Sequence, residues 1–221
     1  MSEQRPVATR PTYRLFWSPG SAAMAPHAAL IEIGQPFELV LASIDAGGHK
    51  TDDYRKLNPN ARVPTLVDGD FVIYESAAIL MYLAARHRAA KLMPLTGTEE
   101  YGRYLQWQIY LTNTVQEAFM HYFHPDYFCS PASEADLKAR AEVRVGTFWT
   151  IVDEALGARG PYIAGRQFST ADLYLHMLSR WSRHLAKPAW HYPNIRRAVE
   201  LVRERPSVQA MMTAQGLSEP F

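Results

Sequence analysis

Residues 62–82 constrain the fold of this chain more than any other stretch. Two short runs rich in β-branched residues flank Asp68-Gly69-Asp70, which is typical of a tight hairpin turn. The second run leads directly into an apolar helical pattern that opens at Glu75-Ser76. The stretch therefore predicts a strand, a turn, a second strand and a helix. Pro64 lies at the mouth of the first strand, where a missing N–H is tolerated, and a cis bond there would leave the backbone of Val63 free to pair with another segment.

The same stretch also predicts a binding site for an anion. The N–H groups at the start of the predicted helix, at Ser76 and Ala77, have no partner within the helix, and the Ser76 hydroxyl adds a donor. Taken alone, Ser76 is equally an ordinary N-cap, and Glu75 is a first-turn acid favoured by the helix dipole. Combined with a strand-like edge at Val63, however, the cradle suits a bound peptide with a free carboxylate.

The residues before this stretch predict the rest of an α/β half that ends near residue 90. The expected elements are strands at 13–17 and 37–41, a helix at 21–33 and a short helix at 51–57. Pro26 must distort or delay the first helix, and Gly34 ends it. An irregular polar loop at 45–50 precedes the short helix. This order of elements argues for a compact layer of helices on a mixed sheet.

The second half predicts helices only. Long amphipathic patterns cover residues 99–122, 134–158 and 169–185, and shorter helices begin at Pro193 and Pro206. Ser169 and Asp172 have the spacing of a capping box, which predicts a helix start and says little about chemistry. The resulting division is a loose tail at 1–12, an α/β domain at 13–90, a linker at 91–98 and an all-helical domain at 99–221.

Composition excludes several classes of partner. With 23 basic and 22 acidic residues the net charge is +1, so electrostatics favour neither nucleic acid nor an anionic membrane. No apolar run approaches the length of a membrane span. Cys129 is the only cysteine, which excludes an internal disulfide and suggests a reducing, cytoplasmic location. His121 and His124 have only part of a ligand spacing and no acidic partner, so no metal site is expected.

The motifs together resemble those of the cytosolic glutathione transferases. The residues that carry the resemblance are Ser18-Pro19-Gly20, Arg62-Val63-Pro64, Glu75-Ser76 and Phe168-Ser169-Thr170-Ala171-Asp172, and it extends from Tyr13 to Leu217. Within that superfamily the chain is most similar to the bacterial beta class, because Pro26-His27 and the late residues 204–209 and 216–217 also match.

This resemblance implies a thioredoxin-like domain that binds glutathione and a helical-bundle domain that forms the second-substrate pocket, usually in a homodimer. The backbone of Val63, beside a cis Pro64, would pair with the cysteinyl part of glutathione. Glu75 would hold the γ-glutamyl amino group and Ser76 its carboxylate. A cation in the polar loop, His49 or Lys50, would meet the glycyl carboxylate.

The chain departs from the beta class where the thiol is activated. Beta-class members usually carry a cysteine at the position of Ala22, often a serine at Ala23 and a histidine at Gln116, so mixed-disulfide chemistry at the lost cysteine is excluded. Lowering a thiol pKa from about 8.5 to below 7 requires roughly 2 kcal/mol, which the start of the first helix with one hydroxyl donor can supply. We expect that donor to be Ser21, then Ser18, together with a backbone N–H of Ala22 or Ala23.

The second-substrate pocket is expected to be apolar and aromatic. Its predicted residues are Tyr110, Asn113, Gln116 and Trp181, of which Asn113 and Gln116 lie one helical turn apart. Cys129, among aromatic residues, is expected to be inert packing. The leading hypothesis is a glutathione transferase acting on a small hydrophobic electrophile, with a role in detoxification. The alternatives are a glutathione-binding or ligand-carrying protein with little turnover, and other glutathione-dependent reactions: peroxide reduction, dehalogenation, ether cleavage or isomerisation.

Overall fold

The computed structural model describes residues 13–218, so the predicted tail at 1–12 lies outside the described residues. The first half contains β1 (Tyr13–Trp17), α1 (Met24–Ile33), β2 (Phe37–Leu41), α2 (Asp52–Leu57), β3 (Thr65–Asp68), β4 (Phe71–Tyr74) and α3 (Ser76–Arg86). The second half contains α4 (Glu99–Tyr110), α5 (Glu117–Phe123), α6 (Glu134–Arg159), α7 (Thr170–Trp181), α8 (Pro193–Arg203) and α9 (Pro206–Ala214).

The four strands form one mixed sheet in the order β2-β1-β3-β4. β1 pairs parallel with β2, placing Leu15 opposite Leu39, and antiparallel with β3, placing Leu15 opposite Leu66. β3 and β4 form the hairpin predicted around Gly69, whose φ of 60° suits the turn. The predicted thioredoxin-like sheet layer and helical second half are both confirmed.

Helix α1 begins three residues later than Ser21, the start of the predicted helix. Because Pro26 has no N–H, it fits only in the first turn of a helix, and α1 accordingly begins at Met24. The residues before Met24 form tight turns. The helix ends as predicted at Gly34, whose φ of 72° lets its N–H bond to the carbonyls of Leu30 and Ile31.

The long helix predicted over residues 99–122 is not uniform. Its middle, Leu111–Gln116, is π-helical and joins α4 to α5. The next two long helices follow their predicted ranges closely, although a 3₁₀ turn, Ser182–His184, extends α7. The capping box at the start of α7 is also present: Asp172 Oδ2 accepts from the N–H of Ser169 at 2.8 Å, and Oδ1 accepts from the N–H of Ile163 at 2.7 Å. Burial raises the pKa of Asp172 to about 6, against the effect of these bonds.

One buried apolar core continues through both halves, from the sheet and α1 to α6, α7 and α8. An ion pair at its edge fastens α1 to the start of α9. Arg205 donates to both carboxylate oxygens of Glu32, at 2.6 and 3.0 Å, and the Ser207 hydroxyl donates to one of them at 2.6 Å. Burial acts to raise the pKa of Glu32, but the bonds from Arg205 and Ser207 outweigh it and hold that pKa below its ordinary value.

We predict that Glu32→Gln lowers the free energy of unfolding at neutral pH by about 2 kcal/mol, because it removes a charge-assisted, partly buried pair. Since the folded-state pKa is lowered, this stabilisation is complete above the ordinary glutamate range and is lost as the pH falls through the lowered value. Urea denaturation at neutral and acid pH measures it. Glu38→Gln, at an exposed position on β2, is the control; equal losses in both variants would contradict the prediction.

Candidate functional site

The turn before α1 is organised by hydrogen bonds to the carbonyl of Ser18. The N–H and the hydroxyl of Ser21 both donate to it, at 3.2 and 2.7 Å. Ser21 Oγ in turn accepts from the N–H of Ala23 at 3.3 Å. The single hydroxyl proton of Ser21 is therefore used within the turn, and in this arrangement it is not directed at a ligand.

Two further hydrogen-bond donors, the Ser18 hydroxyl and the Ala22 N–H, lie in the turn before α1. Ser18 is buried, and its Oγ accepts from the N–H of Ile44 at 3.1 Å. In the part of the chain that the structure describes, neither the proton of this hydroxyl nor the N–H of Ala22 has an acceptor. The start of α1 thus presents Ala22 N–H, with Ser18 as the serine whose proton is uncommitted.

Helix α3 begins next to this turn. The Ser76 hydroxyl donates to the carbonyl of Ala22 at 2.8 Å, and both residues are buried. The hydroxyl predicted as a carboxylate donor is therefore used to join two helix starts, which leaves the backbone N–H of Ser76 for an anion. This bond brings the predicted thiol site and the predicted γ-glutamyl site together.

Glu75 has a strained backbone immediately before α3. Its φ of 73° is rare for a residue other than glycine, and such strain is concentrated at ligand-binding and catalytic sites. The residue is exposed, and its carboxylate makes no hydrogen bond with residues 13–218. Its negative charge helps to raise the pKa of Tyr174 on α7.

The segment before β3 has the predicted cis bond between Val63 and Pro64. Neither the N–H nor the carbonyl of Val63 is hydrogen bonded within the described residues, as the sequence predicts for a free strand edge. Two side chains that the sequence did not identify hold the residue before it. Tyr54 Oη and Asn58 Nδ2 both donate to the carbonyl of Arg62, at 2.7 and 2.8 Å.

The two cations of the polar loop differ in environment. His49 is buried within a 3₁₀ turn, Gly48–Lys50, with Nδ1 at 3.4 Å from the carbonyl of Ser43. Lys50 is exposed, and its ammonium has no hydrogen-bond or ion-pair partner among the described residues. Lys50 is thus the cation with an uncommitted charge.

In the helical half, Gln116 is held by a tyrosine that the sequence did not identify. The Tyr174 hydroxyl donates to Gln116 Oε1, and the Thr112 hydroxyl meets the same Tyr174 oxygen. Burial, assisted by the charge of Glu75, raises the pKa of Tyr174 well above its ordinary range, so the hydroxyl stays protonated. With its oxygen occupied, Gln116 presents its Nε2 hydrogens away from Tyr174.

Asn113 and Gln116 do not share a face in the way that an α-helix would place them. Both lie in the π-helical segment, whose wider turn changes the direction of side chains three residues apart. Asn113 is exposed and its side chain makes no hydrogen bond with the described residues. Tyr110 packs edge-on against Trp107 and Phe148, and these ring contacts do not join it to Gln116.

Trp181, predicted as a pocket residue, also makes a hydrogen bond to the first half. Its Nε1 donates to the carbonyl of Gly20 at 2.9 Å, while its ring lies edge-on to Phe119 and Phe123. The N–H of Gly20 is also bound by the second half, because it donates to Gln215 Oε1 at 3.1 Å. Two residues of the helical half thus fix the turn before α1.

His27 completes this connection from the first turns of α1. Its Nδ1 accepts from Gln215 Nε2 at 3.1 Å, and burial lowers its pKa to about 4, so the ring is neutral. Pro26-His27 and Gly216-Leu217 contributed to the resemblance, but the sequence assigned neither His27 nor Gln215 a role. The contact links residues 188 positions apart, which no local pattern reveals.

Comparison with known proteins agrees with this geometry. The glutathione S-transferase N-terminal domain model matches residues 11–85, and a C-terminal domain model of the same family matches residues 117–215. A bacterial beta-class glutathione S-transferase structure from Sphingomonas chungbukensis is 33% identical, with a TM-score of 0.81, and the match covers 93% of this chain and 100% of that one. The chain belongs to the glutathione S-transferase family.

Two further relatives cover nearly the whole length. Glutathione S-transferase GstA from Escherichia coli O157:H7 is 29% identical over 209 residues, which is 92% of this chain and 99% of that protein. A glutathione transferase homologue from Sulfitobacter, solved with bound glutathione, is 26% identical with a TM-score of 0.87, over 95% of this chain and 100% of that one. The family is thus established over both halves of this chain.

Two negative findings apply to the described part of this chain. Between residues 13 and 218, no helix combines the length and apolar character needed to cross a bilayer. Over the same range, no three histidine, cysteine, aspartate or glutamate side chains are grouped closely enough to hold a metal ion.

We predict that His27 makes folding depend on pH. Its folded-state pKa of about 4 lies below the ordinary value of 6.5, so the unfolded chain takes up the proton first, and stability falls as the pH drops from 6.5 to 4. The full loss for one such histidine is roughly 3 kcal/mol. His27→Asn should reduce the pH dependence of the unfolding free energy by about this amount, leaving the part due to buried His176, whose pKa is also lowered to about 4. His191→Asn, at an exposed position, should give the same curve as the parent. Parallel curves for all three proteins would contradict this.

Proposed function

We propose that this protein is a glutathione transferase that stabilises the thiolate of bound glutathione and adds it to a small hydrophobic electrophile. The observation that carries the proposal is the bond from Ser76 to the carbonyl of Ala22. It joins the start of α3, where a γ-glutamyl carboxylate would lie, to the start of α1, where a thiol would lie. One tripeptide can reach both, and the glutathione bound by the Sulfitobacter homologue supports this ligand.

The binding contacts follow from groups that the described protein leaves without partners. The N–H and carbonyl of Val63, beside cis Pro64, would pair with the cysteinyl backbone. Glu75 would bind the amino group, and the backbone N–H of Ser76 its carboxylate. We assign the glycyl carboxylate to Lys50, because its ammonium is exposed and uncommitted; His49 is the alternative.

Thiolate stabilisation would come from the start of α1. This helix has no acidic residue in its first turn and no side-chain cap, so its positive end is not neutralised by the protein. A helix N-terminus contributes up to about 2 kcal/mol to an adjacent anion in a partly buried site, which is close to the requirement. Ala22 N–H supplies a direct hydrogen bond, Ser18 is the side-chain candidate, and Ser21 positions the turn.

The transfer step requires an apolar site beside the thiolate. The indole of Trp181 is bonded to Gly20, with the partly exposed ring of Phe123 edge-on to it and the buried ring of Phe119 behind. A thiolate lone pair would form the carbon–sulfur bond there, and a leaving group would depart with the electrons of the broken bond. Gln116 would donate from Nε2 to an acceptor on the electrophile, while Tyr110 and Asn113 stay predictions as pocket residues.

A binding protein with little turnover is the second candidate, favoured by Ala22, Ala23 and Gln116 at positions where relatives carry reactive groups. The same site also suits peroxide reduction, dehalogenation, ether cleavage and isomerisation, each of which begins with a glutathione thiolate. A homodimer, a cytoplasmic location and a role in detoxification stay predictions.

We predict that bound glutathione has a lowered thiol pKa, visible as thiolate absorbance in the ultraviolet below the pH at which free glutathione ionises. Ser21→Ala should leave that pKa within about 0.3 unit and reduce stability by about 1 kcal/mol, because the Ser21 proton is bonded to the Ser18 carbonyl. Ser18→Ala should raise the thiol pKa by about half a unit or more, because it removes an available donor.

Each outcome of this titration has a separate meaning. Bound glutathione that ionises as it does in free solution would overturn the transferase proposal and favour the binding protein. If the thiol pKa is lowered in the parent and rises by about one unit in Ser21→Ala, the Ser21 hydroxyl donates directly to the thiolate. Product formation with a chlorinated nitrobenzene, followed by absorbance, tests transfer independently of the pKa.

We predict that Glu75→Gln weakens glutathione binding about tenfold, because a neutral amide cannot pair with the amino group as a carboxylate does. Isothermal titration calorimetry measures the affinity. Glu154→Gln removes the same charge at an exposed position on α6 and should bind glutathione like the parent. Equal affinities for all three proteins would show that Glu75 does not contact the ligand.

A further inference from the structure

Of the residues of the short helix α2, Tyr54 is the one whose side chain is buried. Its ring belongs to a small apolar cluster with Ala42 and Val63, and the centroid of the Phe16 ring lies 5.6 Å from its own. The start of α2 fixes its backbone, because Thr51 Oγ1 accepts from the N–H of Tyr54 at 3.3 Å. The side chain is thus held in the same cluster as Val63.

The hydroxyl of Tyr54 bonds to the residues on both sides of Val63-Pro64. It donates to the carbonyl of Arg62 at 2.7 Å, and it lies 2.8 Å from Thr65 Oγ1. Because a carbonyl can only accept, the Tyr54 proton goes to Arg62, and Thr65 donates its own proton to the Tyr54 oxygen. One hydroxyl therefore joins the residue before Val63 to the residue after Pro64.

Asn58 closes these bonds into a ring. Its Nδ2 hydrogens are directed at the carbonyl of Arg62, at 2.8 Å, and at Thr65 Oγ1, at 3.3 Å. Its Oδ1 accepts from the N–H of Asn60 at 3.0 Å. Tyr54, Asn58 and Thr65 are all buried, and each of their side-chain donors has an acceptor. A buried polar network in which every donor is bonded is rigid.

The apolar packing of Tyr54 does not account for its hydroxyl. A phenylalanine would fill the same cluster without removing a polar group from water. Burial raises the pKa of Tyr54 despite the opposing effects of Thr65 and Asn58, so the hydroxyl stays protonated and remains a donor. Its bonds to Arg62 and Thr65 both act on the residues that flank Val63-Pro64.

We propose that Tyr54 is a positioning residue for glutathione, which acts by fixing the direction of the Val63 N–H and carbonyl. These two groups have no partner within residues 13–218, and under the proposed function, on which this inference rests, they pair with the cysteinyl backbone. The Tyr54 hydroxyl acts through residues 62 and 65 and does not itself contact the ligand. Because both Val63 groups are oriented before glutathione arrives, binding requires less ordering of the protein.

Tyr54→Phe tests this role, because it removes the hydroxyl and keeps the buried ring. It should weaken the binding of glutathione about fivefold in isothermal titration calorimetry. It should leave the thiol pKa of bound glutathione within about 0.2 unit, because the start of α1 is unaltered. S-methylglutathione, which has the same backbone and no ionisable thiol, should lose the same factor.

Tyr82→Phe is the matched control. It removes a tyrosine hydroxyl that donates to Asp68 at 2.7 Å, elsewhere in the first half, and it should bind both ligands with the parent's affinity. Urea denaturation checks that each variant is folded.

Thr65→Val breaks the same ring of bonds at a second point. It should weaken the binding of both ligands, and Tyr54→Phe/Thr65→Val should lose no more than the larger of the two single losses, because both changes act on one network. Losses that multiply in the double variant would overturn the role of the ring as a unit.

The remaining outcomes separate this inference from the proposed function. Equal affinities of the parent and Tyr54→Phe would overturn the positioning role, as would equal losses in Tyr54→Phe and Tyr82→Phe. A loss for glutathione that S-methylglutathione does not share would also overturn it, because the effect would then lie at the thiol. A bound thiol that ionises as it does in free solution would overturn the transferase proposal alone, since S-methylglutathione still reports the backbone contacts.

Discussion

The hydrogen bonds to Gly20 are the contacts on which the geometry of the site depends. Its carbonyl is held by Trp181 and its N–H by Gln215, and both partners belong to the helical half. Burial of the shared core supplies most of the energy that joins the halves, because it scales with apolar area, whereas each hydrogen bond adds only about 1 kcal/mol. The hydrogen bonds instead fix the orientation of the Gly20 peptide groups. They set where the start of α1 points.

The geometry of the first half therefore depends on contacts from the helical half. The Ser18 carbonyl accepts a hydrogen bond from Ser21 within the turn. The Gly20 carbonyl of the same turn, however, is bound by Trp181 of the helical half. The Glu32–Arg205 pair fastens the far end of α1 to α9 in the same way. The turn before α1 and the far end of α1 are therefore each held by a residue more than 150 positions later in the chain than the residue it contacts.

The parts of the structure that the sequence predicted are those set by local rules. The hairpin at Gly69, the end of α1 at Gly34 and the capping box at Ser169 each depend on residues within a few positions. The start of α1 was predicted too early. The alanines that follow Ser21 favour a helix, but the turn bonds to Ser18 and the missing N–H of Pro26 together move its start to Met24.

The hydrogen-bond donors of the site were harder to predict, because a serine hydroxyl can donate its proton either to a ligand or to another group of the protein. Sequence placed Ser21 and Ser76 near a ligand but could not show that one donates to Ser18 and the other to Ala22. The partner of Gln116 was also hidden, since Tyr174 lies 58 positions away and the π-helical turn breaks the α-helical spacing. Motifs predict positions for the site, whereas identifying the donors that are not already bonded within the protein required the fold.

Ala22 and Gln116 stand where the beta-class resemblance implies a cysteine and a histidine, so under the proposed function the backbone would have to stabilise the thiolate. A thiolate needs roughly 2 kcal/mol of preferential stabilisation to persist near neutral pH. A methyl group at Ala22 supplies none, but the backbone N–H of Ala22 has no acceptor among the described residues. Under the proposed function, this N–H and the helix dipole at the start of α1 would supply the stabilisation. An alanine at this position is thus consistent with a thiolate site built from peptide groups, whose charge distribution, unlike that of a histidine, does not change with pH.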